Sequence, residues 1–156
     1  MADTSGQQKQ VVAIVGLGLI GASLALALRG KYRVAGCSRS RATERYALER
    51  GIVDEIRPVD RLKGVSCVVV CTPLSALRDT VKQVYDVVGD ESIITDVGSV
   101  KGLLCGLPGR IVGGHPMAGT EHSGINAAKR HLFENAVYCV VPYPQSRSQD
   151  VEFVKE

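Results

Sequence analysis

The segment VVAIVGLGLIGASLALAL, residues 11–28, constrains the fold of this chain more than any other. An apolar, strand-like run, Val11–Val15, leads directly into the pattern G-x-G-x-x-G, and a helical pattern follows. Glycines at this spacing permit a tight turn, close approach of a pyrophosphate and close helix–strand packing. The helix N-terminus offers unpaired N–H groups and a positive dipole end to phosphates. The segment therefore predicts a dinucleotide-binding loop, although a tight turn without a ligand is the competing interpretation. The predicted contacts are Gly16, Gly18, Leu19, Ile20 and Gly21.

Strand and helix patterns continue to alternate beyond this segment. The apolar runs are continuous, which is typical of strands in a parallel sheet covered on both faces. Helical patterns separate them, so the order predicts an α/β fold with a doubly wound, mainly parallel, Rossmann-like sheet. The predicted strands are 11–15, 33–37, 67–71, 92–96, 110–113 and 136–141, and the predicted helices are 19–29, 41–50, 75–88 and 125–131.

Three segments of different character are expected along the chain. Residues 1–10 predict a disordered polar tail, 11–144 a dinucleotide-binding domain, and 145–156 the start of a further helix. Ser146 and Gln149 have capping-box spacing, and Val151, Phe153 and Val154 follow as an apolar face. A helix of ~10 residues is marginal alone. The sequence thus predicts a chain cut off inside a larger protein, with this apolar face uncovered and prone to association.

Composition excludes several classes of function. The formal charge of +3 is small and the basic residues are scattered, so neither nucleic acid nor a membrane surface is an expected partner. No apolar run reaches the ~20 residues that a bilayer requires, and the N-terminus lacks the apolar centre of a secretion signal. We expect a cytoplasmic protein, or one in the plastid stroma if the source is a plant or alga. Five cysteines without C-x-x-C spacing predict reduced core thiols and no metal site.

The end of the second predicted strand indicates which dinucleotide is bound. An acidic residue for the adenosine ribose is expected there, but the chain has Ser38 followed by Arg39 and Arg41. A serine can donate to a 2′-phosphate and a guanidinium can pair with it, whereas an Asp would repel it. The pattern therefore predicts NADP rather than NAD, against the alternative of solvated arginines at a helix start.

Polar or small residues follow the other predicted strands as well. The third strand leads into Thr72-Pro73, the fourth into Asp96 and Ser99, and the fifth into Gly113-Gly114-His115-Pro116. The carboxyl ends of parallel strands share one edge of the sheet, where ligands bind. We expect His115 to face the nicotinamide half of the cofactor, with the adjacent glycines leaving room for ring and substrate. A neutral imidazole is suited to take a hydroxyl proton at neutral pH.

Four segments in this order resemble the N-terminal domain of prephenate/arogenate dehydrogenases: GLGLIGASLALAL, ITDVGSVKG, GGHPMAGTEHSG and LFENA. The resemblance covers about residues 11–144. Its most specific part is GGHPMAG with D-x-G-S-V-K upstream, and Ser38-Arg39 is similar to NADP-using arogenate dehydrogenases. The resemblance implies NADP-dependent oxidative decarboxylation of arogenate to tyrosine, or of prephenate to 4-hydroxyphenylpyruvate, in tyrosine biosynthesis.

The resemblance also implies roles for single residues. His115 matches the family's catalytic base, and Ser99 matches the serine that hydrogen-bonds near that base and the substrate hydroxyl. Thr72-Pro73 matches cofactor-contacting positions, and Thr120-Glu121 would border the substrate site. The pair of Asp96 and Lys101 is as compatible with a structural as with a functional role.

Family members continue into a helical C-terminal domain that forms the dimer and supplies basic residues for the substrate carboxylates. The resemblance thus implies that this chain is the cofactor-binding part of a homodimeric parent enzyme and is inactive alone. Two alternatives stay open: a β-hydroxyacid dehydrogenase of the GLGxMG type, and a module that binds NADP without chemistry. Arogenate and prephenate are not distinguished by the sequence.

Overall fold

Seven strands form one sheet in the computed structural model, which describes residues 9–156. The strands are β1 Val11–Val15, β2 Arg33–Cys37, β3 Glu55–Ile56, β4 Cys67–Val70, β5 Ile93–Asp96, β6 Arg110–Pro116 and β7 Tyr138–Pro142. The helices are α1 Leu19–Leu28, α2 Arg41–Glu49, α3 Leu74–Val88 and α4 Ser148–Lys155. The strand order across the sheet is β3-β2-β1-β4-β5-β6-β7, and all neighbouring strands are parallel except β6 and β7, which are antiparallel. The predicted doubly wound, mainly parallel α/β fold is confirmed.

The central strands are buried on both faces, which explains their continuous apolar sequences. On one face, Val68 and Ile94 pack with Leu77 and Val81 of α3. On the other face, the strand residues pack against α1 and α2; this second cluster includes Val12, Ile14, Ala22, Val34 and Ala47. Two apolar layers thus enclose the sheet, as the unbroken valine and isoleucine runs require.

The chain differs from expectation around β6 and β7. β6 continues to Pro116, because β7 pairs with it antiparallel from Val112↔Pro142 to Pro116↔Tyr138. His115 therefore lies inside a strand rather than after one. The helix predicted over 125–131 is wrong: only a 3-10 turn, Ile125–Ala127, forms there. The N–H of Lys129, two residues after this turn, donates to the hydroxyl of Ser23 in α1 at 3.0 Å instead of continuing a helix.

The C-terminal helix forms, but the capping-box prediction is wrong. The Ser146 hydroxyl donates to Ile111 O at 2.6 Å and accepts from Tyr143 N at 2.8 Å, so it ties the chain to β6 instead of capping α4. Asp150 of α4 is fully buried and paired with Arg110 of β6.

The apolar face of α4 is also better covered than expected. Val151, Phe153 and Val154 are half-buried rather than uncovered. Phe153 and Val154 pack against the core cluster on the α1 side of the sheet. The Phe153 and Tyr32 ring centroids are 6.1 Å apart.

Several sequence expectations concern features other than the sheet. Of the predicted disordered tail 1–10, residues 1–8 lie outside the described part of the chain. Within residues 9–156, no helix is long and apolar enough to span a membrane. In the same range, no group of three His, Cys, Asp or Glu side chains could hold a metal ion. All five cysteines are free thiols.

Candidate active site

The loop between β1 and α1 has the geometry that a pyrophosphate site needs. Gly16 adopts φ +103°, which L side chains rarely adopt. A Cβ on Gly21 would lie 1.9 Å from the Gly16 carbonyl oxygen, so only glycine permits this close packing of α1 on the loop. A Cβ on Gly18 would meet no atom within 4 Å. The loop is thus tightly packed between Gly16 and Gly21, and the space beside Gly18 is open.

The first turn of α1 is free to bind an anion. Gly18 is its N-cap, and the helix has neither a side-chain cap nor an acidic residue in its first turn. As in the first turn of any α-helix, the N–H groups of Leu19 and Ile20 have no partner within the helix. Backbone donors at a helix N-terminus fit phosphate oxygens.

The turn after β4 lies directly beside this loop. A Cβ on Gly16 would be 2.6 Å from Cys71 O and 3.2 Å from Thr72 N, so the backbone of Cys71 and Thr72 lies against the glycine loop. The Thr72 hydroxyl is buried and has no hydrogen-bond partner among residues 9–156. A buried hydroxyl without a partner is costly unless a ligand satisfies it. The residues at this edge therefore fit a dinucleotide.

The end of β2 carries the residues predicted to select the cofactor. Ser38 is half-buried, while Arg39 and Arg41 are exposed and form no ion pair with any residue of the described chain. The Ser38 Oγ accepts from Ser40 N at 3.2 Å, which leaves its O–H free to donate. Ser40 in turn caps α2 by accepting from Thr43 N at 3.2 Å.

The orientation of His115 fixes which of its nitrogens can act as a base. Its Nδ1 is 3.3 Å from the carbonyl oxygen of Val97, in the turn after β5. A carbonyl can only accept, so Nδ1 carries the proton and Nε2 holds the free lone pair. The half-buried ring thus presents a proton acceptor at the carboxyl edge of the sheet.

A buried ion pair holds this arrangement together. Asp96 is 0% exposed, and its Oδ2 accepts from Lys101 Nζ at 2.6 Å and from Gly98 N at 2.9 Å. Lys101 Nζ also donates to Gly114 O at 2.5 Å, and Gly114 N donates to Asp96 Oδ1 at 3.3 Å. The pair therefore links the β5 turn, which carries Val97, to the strand that carries His115. The sequence alone does not decide between a structural and a functional role for this pair. The only indication of the pair in the sequence is an aspartate at the end of an apolar strand, followed five residues later by a lysine.

The two glycines before His115 serve a different purpose from the one expected. A Cβ on Gly114 would lie 2.5 Å from the Tyr138 hydroxyl, and one on Gly113 would lie 3.0 Å from the Lys101 side chain. The space beside them is filled by protein, so the expectation that they leave room for ring and substrate is wrong. They admit Tyr138 and Lys101, and sequence reasoning did not identify Tyr138 because nothing in NAVYCVV marks it as a partner of β6.

Three predicted residues form no hydrogen bond with His115 in the described part of the chain. Ser99 is exposed and forms no hydrogen bond with His115 in the described structure. The Thr120 hydroxyl accepts from His122 N at 3.1 Å. The Glu121 side chain is 83% exposed and lies 3.2 Å from His122 Nε2. The structure therefore places His115 and the glycine loop on one edge, but joins none of these three side chains to His115 by a hydrogen bond.

Burial keeps two groups near the sheet edge in their neutral forms. It raises the pKa of the Cys71 thiol, and the charge of Asp96 raises it further. It also raises the pKa of the Tyr138 hydroxyl, again with smaller contributions from neighbouring acidic groups. Neither group is therefore an anion at neutral pH.

Comparison with known proteins assigns this arrangement to a family. The profile of the prephenate dehydrogenase, nucleotide-binding domain, matches residues 23–156. The chain is 36% identical over 162 residues to a prephenate dehydrogenase of Bacillus subtilis, covering 96% of this chain and 44% of the relative. It is 30% identical over 161 residues to a cyclohexadienyl dehydrogenase of Zymomonas mobilis, covering 93% of this chain and 53% of the relative.

Solved structures agree with these sequence relationships. Synechocystis arogenate dehydrogenase has a TM-score of 0.85 at 33% identity, covering 94% of this chain and 55% of that one. A prephenate dehydrogenase from A. aeolicus, in complex with hydroxyphenyl propionate and NAD+, has a TM-score of 0.83 at 27% identity, covering 97% and 57%. The chain thus spans about half the length of the proteins it matches. It belongs to the family of prephenate dehydrogenase nucleotide-binding domains.

Proposed function

We propose that this chain is the NADP-binding part of a dehydrogenase that oxidatively decarboxylates arogenate or prephenate. The product would be tyrosine from arogenate or 4-hydroxyphenylpyruvate from prephenate. The observation that carries the proposal is the placement of His115, with Nε2 free, on the same sheet edge as the open glycine loop. The family membership supports it, since relatives named for both substrates share this fold.

The residues of the chain have distinct tasks in this proposal. The N-terminus of α1 binds the pyrophosphate, and Thr72-Pro73 contacts the cofactor beside it. The Nε2 of His115 takes the proton of the substrate hydroxyl as the hydroxyl-bearing carbon is oxidised. NADP+ held at this edge would supply the hydride acceptor, and loss of carbon dioxide from the substrate would make its ring aromatic. Ser99 would orient the hydroxyl, and Thr120-Glu121 would border the substrate.

We propose that turnover requires a longer protein than these 156 residues. The matched relatives and structures are about twice as long, and a sheet edge provides one wall of a pocket. The substrate carboxylates need charge-assisted partners in a site that excludes water. Assaying the enzyme that contains this chain with each substrate, NADP and NAD tests the reaction. Absence of NADPH or NADH formation with both substrates would contradict it.

The cofactor preference is tested on the chain as it stands. Ser38→Asp should weaken NADP binding about tenfold to hundredfold, because a carboxylate replaces a donor to the 2′-phosphate. Isothermal titration with NADP and NAD measures both affinities. Ser38→Ala is the matched control: it removes the hydroxyl without adding charge and should weaken NADP less. Equal binding of both nucleotides by the unmodified chain would refute the preference.

A further inference from the structure

Glu44, which the sequence did not single out, lies at the strand end where the cofactor is predicted to be selected. It belongs to the first turn of α2. Its Oε1 accepts from the backbone N–H of Ser38 at 3.2 Å. The turn between them is fixed, since Ser38 Oγ accepts from Ser40 N and Ser40 caps α2. A carboxylate is therefore held against the residue that stands in the position of the usual ribose-binding acid.

No basic side chain of the described residues pairs with this carboxylate. Glu44 is half-buried and forms no ion pair within residues 9–156, although Arg39 and Arg41 are close to it in sequence. Burial raises the pKa of the neighbouring Cys37 thiol, and the negative charge of Glu44 adds to that effect. The end of β2 thus carries exposed guanidinium groups and an unpaired carboxylate together.

These two kinds of group have opposite effects on the adenosine ribose. A carboxylate at the end of the second strand accepts from a 2′-hydroxyl and repels a 2′-phosphate, whereas an arginine favours the phosphate. We propose that Glu44 is a specificity-determining residue that supplies the strand-end negative charge from α2 and limits the preference for NADP over NAD. The inference rests on the proposed nucleotide function and assigns a second, opposing determinant to the same site.

Glu44→Gln separates the charge from the hydrogen bond. The amide oxygen still accepts from Ser38 N–H, but the charge is gone, so the turn is retained. We expect the ratio of NADP to NAD affinity, measured by isothermal titration on the 156-residue chain, to rise about three- to tenfold, as for removal of one like charge several ångströms away. Glu49→Gln, which removes a charge from the exposed far end of the same helix, should change the ratio by less than about twofold.

The alternative is that Glu44 only stabilises the turn. In that case Glu44→Gln would leave the ratio of NADP to NAD affinity unchanged, and Glu44→Ala would weaken the binding of both nucleotides to the same extent. An unchanged or a lowered ratio in Glu44→Gln overturns the inference. Failure of the proposed function looks different. If the unmodified chain bound neither nucleotide, the proposed nucleotide-binding function would be refuted. If it bound NAD more tightly than NADP, the proposed preference would be refuted, but Glu44→Gln should still raise the ratio of NADP to NAD affinity.

Discussion

His115 shows how much of the chemistry depends on a single hydrogen bond. Because Nδ1 donates to the Val97 carbonyl, Nε2 holds the free lone pair, and in the proposed reaction it is the atom that takes the proton. In the enzyme containing this chain, His115→Asn should lower kcat by ~10²–10⁴-fold, the usual contribution of a general base. The asparagine amide can still donate to Val97 O, so NADP affinity should change by less than about twofold. Steady-state kinetics and nucleotide titration measure the two effects separately.

The matched control for this variant is His131→Asn. His131 is 70% exposed and pairs with Glu134 on the surface, so its loss should leave kcat unchanged. If His115→Asn retained nearly full kcat, His115 would not be the base. A parallel loss of NADP affinity would instead indicate that the substitution disturbs the loop.

Single residues were predictable where a local pattern defines their role. The glycine loop follows a strand, and His115 lies one residue before the end of β6, so a parallel sheet brings both to one edge. The Asp96–Lys101 pair was undecided, because its contacts to Gly114 join two strands that the sequence does not pair explicitly. Glu44 was missed since it reaches the end of β2 from a neighbouring helix.

At the scale of elements, the β1–α1 turn contains one glycine that packing requires, Gly21, and one that we propose approaches the cofactor, Gly18. Gly21→Ala should destabilise the domain by about 1–3 kcal/mol or more, because its Cβ would overlap the Gly16 carbonyl. Gly18→Ala has open space and φ −79°, so stability should change little. Its methyl group would instead occupy the open side of the loop and weaken NADP binding.

Urea unfolding and nucleotide titration on both variants check this pair. Gly106→Ala is a further reference for stability. Its Cβ also meets no atom within 4 Å, but Gly106 has φ +74°, so any loss of stability in this variant measures backbone strain alone. Undiminished NADP affinity in Gly18→Ala would show that the phosphates lie elsewhere.

The bounds of helices and strands follow from the sequence where a local pattern sets them, and do not follow where they depend on pairing with a strand that is distant in sequence. The β1–α1–β2 unit follows from apolar runs and glycines. The extension of β6 to Pro116 depends on antiparallel pairing with β7, which an apolar run does not reveal. Ser146 has the spacing of a cap, but its hydroxyl is bonded to Ile111 O of β6 and Tyr143 N, and the contact to β6 is not visible in a local pattern.

At the scale of the whole molecule, buried neutral acids make the fold sensitive to alkali. Burial raises the pKa of Cys67 from 9.0 to about 12 and that of Tyr143 from 10.0 to about 12. It also raises the pKa of Cys71 and Tyr138. The unfolded chain loses these protons at lower pH than the folded chain, so the folded state binds more protons above about pH 9. Stability is therefore complete below that pH and declines as pH rises toward 12.

Cys67→Ala provides the quantitative test, because it removes one of these groups from the core. Each buried thiol should contribute about 1.4 kcal/mol of lost stability per pH unit above its unfolded pKa. Urea unfolding under reducing conditions, from about pH 8 to about pH 10.5, should thus show a shallower decline for Cys67→Ala than for the unmodified chain. The alanine variant will be less stable at neutral pH, but its slope with pH carries the result. Cys105→Ala, at an exposed position, should keep the original slope. Parallel slopes for the Cys67 variant and the unmodified chain would mean that the Cys67 thiol ionises as readily in the folded as in the unfolded protein.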